Sequence, residues 1–234
     1  MTYQLDQLSH ANLGKSVHAR LREALAAGRF RPGDRLRIRE LALQLGTSVT
    51  PVRDAMLQLV QEEALVLRSP RDFRVPVLSV QRYLEIRALR VELEGLGAAM
   101  AAQHADAAAL GHLEQLLLAN EAAIARQDLA GALQCNQAFH LGLAQASGMP
   151  TLQRFVAHLW MQTAPLIAAG YAAFTPTMRV GHHRAIIDAL RARDGGAARQ
   201  AMARDILDGG VQLLAYVQQM EQGVMPEHEK DEND

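Results

Sequence analysis

Between residues 13 and 75 the spacing of apolar residues switches from a helical period to a strand period, and that switch limits the fold more than any other feature. Leu13, Val17, Leu21, Ala24 and Leu25 form one helical stripe, closed by the Gly and Pro-Gly turn of "GRFRPGD". "RLRI" then alternates like a short strand. Ile38, Leu41, Ala42 and Leu45 make a second stripe, stopped by Gly46. Val52, Ala55, Met56, Leu59 and Val60 make a third at i, i+3, i+4, i+7 and i+8. "ALVLR" and "FRVPV" follow, two short strands around the turn "SPRD". Helix, strand, helix, turn, helix and two-stranded wing is a winged helix-turn-helix pattern, assigned to residues 1–78.

From about Ser79 the chain turns to long Ala/Leu-rich helices. Breaks near 104–106, 127–128, 147–150, 169–176 and 194–196 outline about six of them, each too long to stand without packing on its neighbours. Aromatic residues are 4% of a chain that is 49% hydrophobic, which favours packed helices over a β-sandwich. The expected fold is therefore mainly α: an N-terminal winged helix-turn-helix, then an all-helical antiparallel bundle over 79–220. The acidic stretch "EQGVMPEHEKDEND" at 221–234 reads as a disordered tail. A single cysteine, Cys135, excludes an internal disulfide framework and a Cys-rich zinc site. No run reaches 18 unbroken apolar residues and the polar start "MTYQLDQLSH" is no signal peptide, so the expected location is cytoplasmic, with no membrane partner.

The net charge of -1 conceals an asymmetry. Residues 1–75 hold 12 Lys and Arg against 8 Asp and Glu. In "GTSVTPVRDAM" the expected N-cap is Thr50, with Pro51 at N1 and Arg53 in the first turn, where the helix dipole disfavours a cation. A negative partner opposite Arg53 resolves the mismatch. In a helix-turn-helix this third stripe is the recognition helix, and double-stranded DNA supplies that charge. Thr47, Ser48 and Thr50 offer hydroxyls to phosphate, Arg37 and Arg39 open the preceding helix, and Arg71 and Arg74 sit on the wing.

The second domain places polar residues where core is expected. Positions 129, 133, 136, 140 and 143 form an inward stripe that includes Asn136 and His140 at i, i+4. Val180, His183, Ile187 and Leu190 form another, and Ala198, Met202, Asp205 and Gly209 a third. His183 and Asp205 are centred on the turn at residue 194, so in an antiparallel helix pair they stand opposite each other, each roughly 16 Å from the turn. His182 points about 100° away from His183. Asn136, His140, His183 and Asp205 can thus converge. Buried, they need partners, which a divalent metal or a hydrogen-bonded network supplies equally well on spacing alone.

"LREALAAGRFRPGDRLRIRELALQLGTSVTPVRDAMLQLVQEEALV" resembles the N-terminal domain of GntR-type bacterial transcription regulators, through "G-x-x-x-P-G-x-x-L", "RELA" and "S-x-T-P-V-R-[DE]-A" taken together. "EIRALRVELEGLGAAMAA" and "FHLGLAQASGMPTL" look like the helical FCD effector domain of the FadR-like subgroup. The resemblance implies a homodimeric, ligand-responsive repressor on a pseudo-palindromic operator, with a small organic acid as effector. It also implies a divalent metal ion (zinc, nickel or manganese) held by Asn136, His140, His183 and Asp205. Asn136 replaces the usual Asp of that set, and Asp205 the usual last His. Arg90, in the "R-x-x-L-E" pattern, matches an effector-facing arginine and can also pair with Glu94 at i+4. Tyr171 and Trp160 are further candidates for the pocket wall. Two departures concern DNA: Val49 stands where the family usually has Arg, and Arg71-Asp72 where the wing usually has Arg-Gly. A valine cannot read a guanine, and Asp72 is expected to repel phosphate. A metalloenzyme and a bare dimerisation bundle are the rival readings. Against the enzyme, the chain has no H-E-x-x-H, G-x-S-x-G or P-loop.

Overall fold

The computed structural model describes residues 11–173 and 181–223. The tail beyond residue 223, Val180 and the side chains of Leu13 and Tyr171 lie outside what is described. The N-terminal module runs α1 (Ala11–Ala26), β1 (Arg35–Leu36), α2 (Ile38–Gln44), α3 (Val49–Gln61), β2 (Val66–Ser69) and β3 (Asp72–Arg74). Val17, Leu21 and Leu25 of α1 close over Leu41 and Ala42 of α2 and over Val52, Ala55, Met56 and Leu59 of α3. Those spacings turn one side chain in three or four to the same face, so three short helices share one core. The sheet is antiparallel in the order β1-β3-β2, and Phe73, fully buried at its centre, joins sheet to helices. Leu36 faces Phe73 across one pair and Leu67 faces it across the other.

α3 begins earlier than expected. Ser48, not Thr50, is the N-cap, with extended backbone angles of φ -79 and ψ 166 and no side-chain capping bond. Thr50 and Pro51 are then the second and third helical residues, where a missing N–H leaves no partner unsatisfied. Arg53 becomes the fifth, beyond the turn where the dipole is strongest, so its electrostatic penalty is smaller than the sequence implied.

Six helices follow: α4 (Val80–His104), α5 (Ala107–Ala125), α6 (Leu129–Ala146), α7 (Pro150–Ala173), α8 (Gly181–Arg191) and α9 (Gly195–Glu221). Four of them start on a side-chain cap: Ser79, Asp106, Asp128 and Asp194 accept from the N–H groups of Arg82, Ala109, Gly131 and Ala197. α4 packs along α9, α5 against α6, and α8 folds back on α9. Leu129 is 38% exposed, because it is the first residue of α6 and the inward stripe starts only at Leu133.

The two modules share α7. Met161 of α7 is buried in the N-terminal core, although it follows directly on Trp160, which belongs to the bundle core. Gly28 ends α1 with φ +70, and a Cβ there would lie 2.4 Å from that of Ala168 on α7. Glycine is required on both counts. Arg82 of α4 adds an ion pair to Glu63 at 2.6 Å and a hydrogen bond to Gln162 at 3.0 Å.

Candidate functional site

Two regions carry chemistry. On the first module the core face of α3 is filled, and its outer face presents Val49, Thr50, Arg53, Leu57 and Gln58. Arg37, Arg39, Ser48 and Arg71 are likewise exposed, and Thr47 is half-buried. Arg37 donates to Glu40 at 2.8 Å. Among the described residues Arg39, Arg53 and Arg71 have no ion-pair partner, which leaves three uncompensated cations around one helix terminus and one wing tip. Asp72 does not face outward as a repelling charge. It is partly buried between Arg74, at 3.1 Å, and Arg35, at 3.3 Å, so its charge is offset within the sheet.

The second region is a cavity of about 190 Å³ between α4, α6, α7 and α9, with room for about six waters. Arg87, Arg90, Asn136, His140, Trp160 and Asp205 line it. At its wall His140 Nε2 lies 3.4 Å from His183 Nε2 and 3.2 Å from Asp205 Oδ2, and His183 Nε2 lies 3.6 Å from Asp205 Oδ1. α6 supplies His140. The α8–α9 hairpin supplies the other two, since its turn at Asp194 sets residues 183 and 205 side by side. Asn136, one turn before His140, is buried and lines the same cavity.

Glu94 organises the site, and the sequence reading assigned it only to Arg90. It accepts from Arg90 Nε at 2.6 Å, from His140 Nδ1 at 2.6 Å and from Trp160 Nε1 at 3.4 Å. The Arg90 guanidinium also lies 4.1 Å over the Trp160 ring. So Arg90 both pairs with Glu94 and borders the cavity. The available signal was the buried stripe Tyr83, Ile86, Arg90, Glu94 and Gly97 on α4, in which two charges replace core residues. His182 bonds Asp208 at 2.7 Å on the rim, apart from the triad.

The charges follow from this geometry. Burial opposes ionisation of Glu94, but Arg90 and His140 more than offset it and hold the carboxyl at about 2. Burial also opposes charge on His140, yet the flanking carboxylates of Glu94 and Asp205 raise it to about 9. Asp205 is held well below the usual carboxylate range: burial opposes its charge, and its close contacts with His140 and His183 outweigh burial. His183, buried and stacked 4.1 Å on Phe139, is pushed down. Its Nδ1 has no hydrogen-bond partner among the described residues.

The donor set fits a divalent ion. Ligands about 2.0–2.1 Å from a tetrahedral centre stand about 3.3 Å from one another. The observed separations of 3.2, 3.4 and 3.6 Å lie near that value, the two to Asp205 being to its different oxygens, and one donor atom from each of the three residues lies within 4.8 Å of the others. An ionised Glu94 can only accept, so Nδ1 of His140 carries a proton in either charge state, and Nε2 is the atom a metal would bind, on displacing the second proton that the flanking carboxylates favour there.

A winged helix-turn-helix whose arginines include three without an ion-pair partner among the described residues, joined to a bundle around a polar cavity, has the make-up of a DNA-binding transcription regulator. Residues 13–75 match the family described as "Bacterial regulatory proteins, gntR family" and residues 85–208 match "FCD domain". The chain is 30% identical over 211 residues to the HTH-type transcriptional regulator McbR of Escherichia coli K12, covering 89% of this chain and 95% of that protein. It is 28% identical over 204 residues to a probable D-xylose utilization operon transcriptional repressor of Paenarthrobacter nicotinovorans, covering 86% of this chain and 88% of that one. The solved structure of E. coli McbR/YncC superposes with a TM-score of 0.80 at 30% identity, over 92% of this chain and all of the other. The chain belongs to the GntR family of bacterial transcription regulators, and an FCD domain forms its second half.

Proposed function

We propose that the chain is a cytoplasmic, homodimeric repressor whose affinity for operator DNA is set by a small organic acid bound at a divalent metal in the cavity. In this reading residues 1–78 hold the DNA and residues 79–220 hold the effector and the dimer contacts. The observation that supports it most is the spacing of His140, His183 and Asp205, three donors from three helices at metal-like separations, two of which line the cavity. Among the described residues no helix is long and apolar enough to cross a membrane, which agrees with this placement.

Each residue has a part. His140, His183 and Asp205 hold the ion, with Asn136 as the neighbouring oxygen donor. Two imidazoles and one carboxylate suit zinc or nickel, and manganese less well. The ion supplies a Lewis-acidic site for a carboxylate oxygen. Glu94 fixes the His140 tautomer, and Arg90 and Arg87 provide positive charge on the facing wall. Arg37, Arg39, Thr47, Ser48, Thr50, Arg53 and Arg71 meet the duplex, chiefly at phosphates for the hydroxyls and the wing. An effector changes operator affinity only through different affinity for two arrangements of the modules.

Elemental analysis of the purified chain and of His140→Ala and His183→Ala tests this reading. About one divalent ion per subunit is expected in the parent and none in either variant, with DNA binding retained in both. Equal metal content in parent and variants would remove the triad from metal binding.

A further inference from the structure

Val49 is the first helical residue of α3 and is 48% exposed. It contributes nothing to the core, which Val52, Ala55, Met56 and Leu59 fill at 0–2% exposure. An isolated exposed valine elsewhere would need no explanation. At the leading end of a recognition helix, however, the side chains are the ones that reach base edges. Val49 shares its exposed strip with Arg53, one turn on at i+4, whose cation is unpaired among the described residues.

Valine has no donor and no acceptor, so it can read only an apolar group. The major groove of unmodified DNA offers one: the C5-methyl of thymine. We propose that Val49 is a specificity-determining residue that selects a thymine methyl in each operator half-site. The inference rests on the reading of α3 as the DNA-contacting helix. Four residues of helix span about 6 Å, and base pairs are about 3.4 Å apart, so the thymine lies within about two base pairs of the position met by Arg53. Thr50, exposed beside Val49, can serve a phosphate and leave the base to the valine.

The test uses the full-length chain and the duplex it enriches from a randomised-sequence library. Each thymine of that duplex is replaced singly by deoxyuridine, which removes the methyl and nothing else. One position per half-site is expected to weaken the parent about four-fold, the worth of one buried methyl-sized group. Val49→Ser, checked by circular dichroism for an unchanged fold, should bind thymine and uracil duplexes equally at that position. The inference is overturned if no replacement weakens the parent, or if the sensitive position costs Val49→Ser as much as the parent. A chain that enriches no sequence overturns the DNA-contacting role of α3 and this inference with it, a result distinct from enrichment without methyl dependence.

Discussion

Glu94→Gln changes one atom, yet it should disturb both the stability of the bundle and its affinity for metal. The Glu94 side chain is 1% exposed and that of Arg90 is 9% exposed. Removing the carboxylate charge leaves a guanidinium buried beside a neutral amide, and breaking such a pair costs about 3–5 kcal/mol. The depression of the Glu94 carboxyl from 4.5 to about 2 gives the same scale, about 3 kcal/mol. Its folded value lies below its unfolded one, so this stabilisation is fully present above pH 4.5 and is lost as the pH falls toward 2. The gap between parent and variant is therefore full at pH 7 and narrows in acid. Glutamine also has one acceptor where Glu94 serves Arg90 and His140 with two. If its NH2 faces His140, the ring must protonate on Nε2 and gives up the lone pair a metal needs. Urea denaturation in the presence of chelator should show the loss of about 3–5 kcal/mol, and zinc titration a loss of about 10–100-fold in affinity. A variant within about 0.5 kcal/mol of the parent, with unchanged zinc affinity, would refute both the buried-pair argument and the tautomer argument.

Two other perturbations separate the modules. Arg53→Ala should weaken operator binding by about 1–3 kcal/mol if Arg53 meets a base, or reduce the salt dependence by about one counterion if it meets a phosphate, with circular dichroism unchanged. Unaltered affinity and salt slope would place Arg53 outside the interface. Met161→Ala removes a side chain that is 3% exposed, at a cost of about 2–5 kcal/mol. Although Met161 lies on α7, faster amide exchange is expected in α1 and α3, and unchanged protection there would mean that the contact does not stabilise the first module.

Much of this arrangement could be read from the sequence where a short turn fixes the register. The Asp194 turn sets His183 against Asp205, because two antiparallel helices leaving a tight turn keep equal residue counts on each side. The wing was readable for the same reason, as "SPRD" leaves a two-residue loop between β2 and β3. Glu94 was not readable in its full role. Its bond to His140 spans 46 residues and depends on how α4 slides along α6, which no short connection sets. The start of α3 slipped by two residues because Ser48 and Thr50 are both able caps and only the extended backbone at Ser48 decides between them. Asp72 read as a repulsive charge because one of its two partners, Arg35, reaches it from the neighbouring strand β1 and is distant in sequence, while Arg74 lies two residues on along β3 itself.

The sharing of α7 bears on how such a chain can diversify. Trp160 faces the cavity while Met161, the next residue, faces the DNA-binding core, so a substitution that reshapes the pocket from α7 is also felt by the module that reads DNA. The α9 wall has no such constraint at Gly209, which lines the cavity and where an added Cβ would meet nothing within 4 Å. In the proposed reading, the lining at this point of α9 can therefore change while α7, and with it the way the two halves are joined, stays fixed.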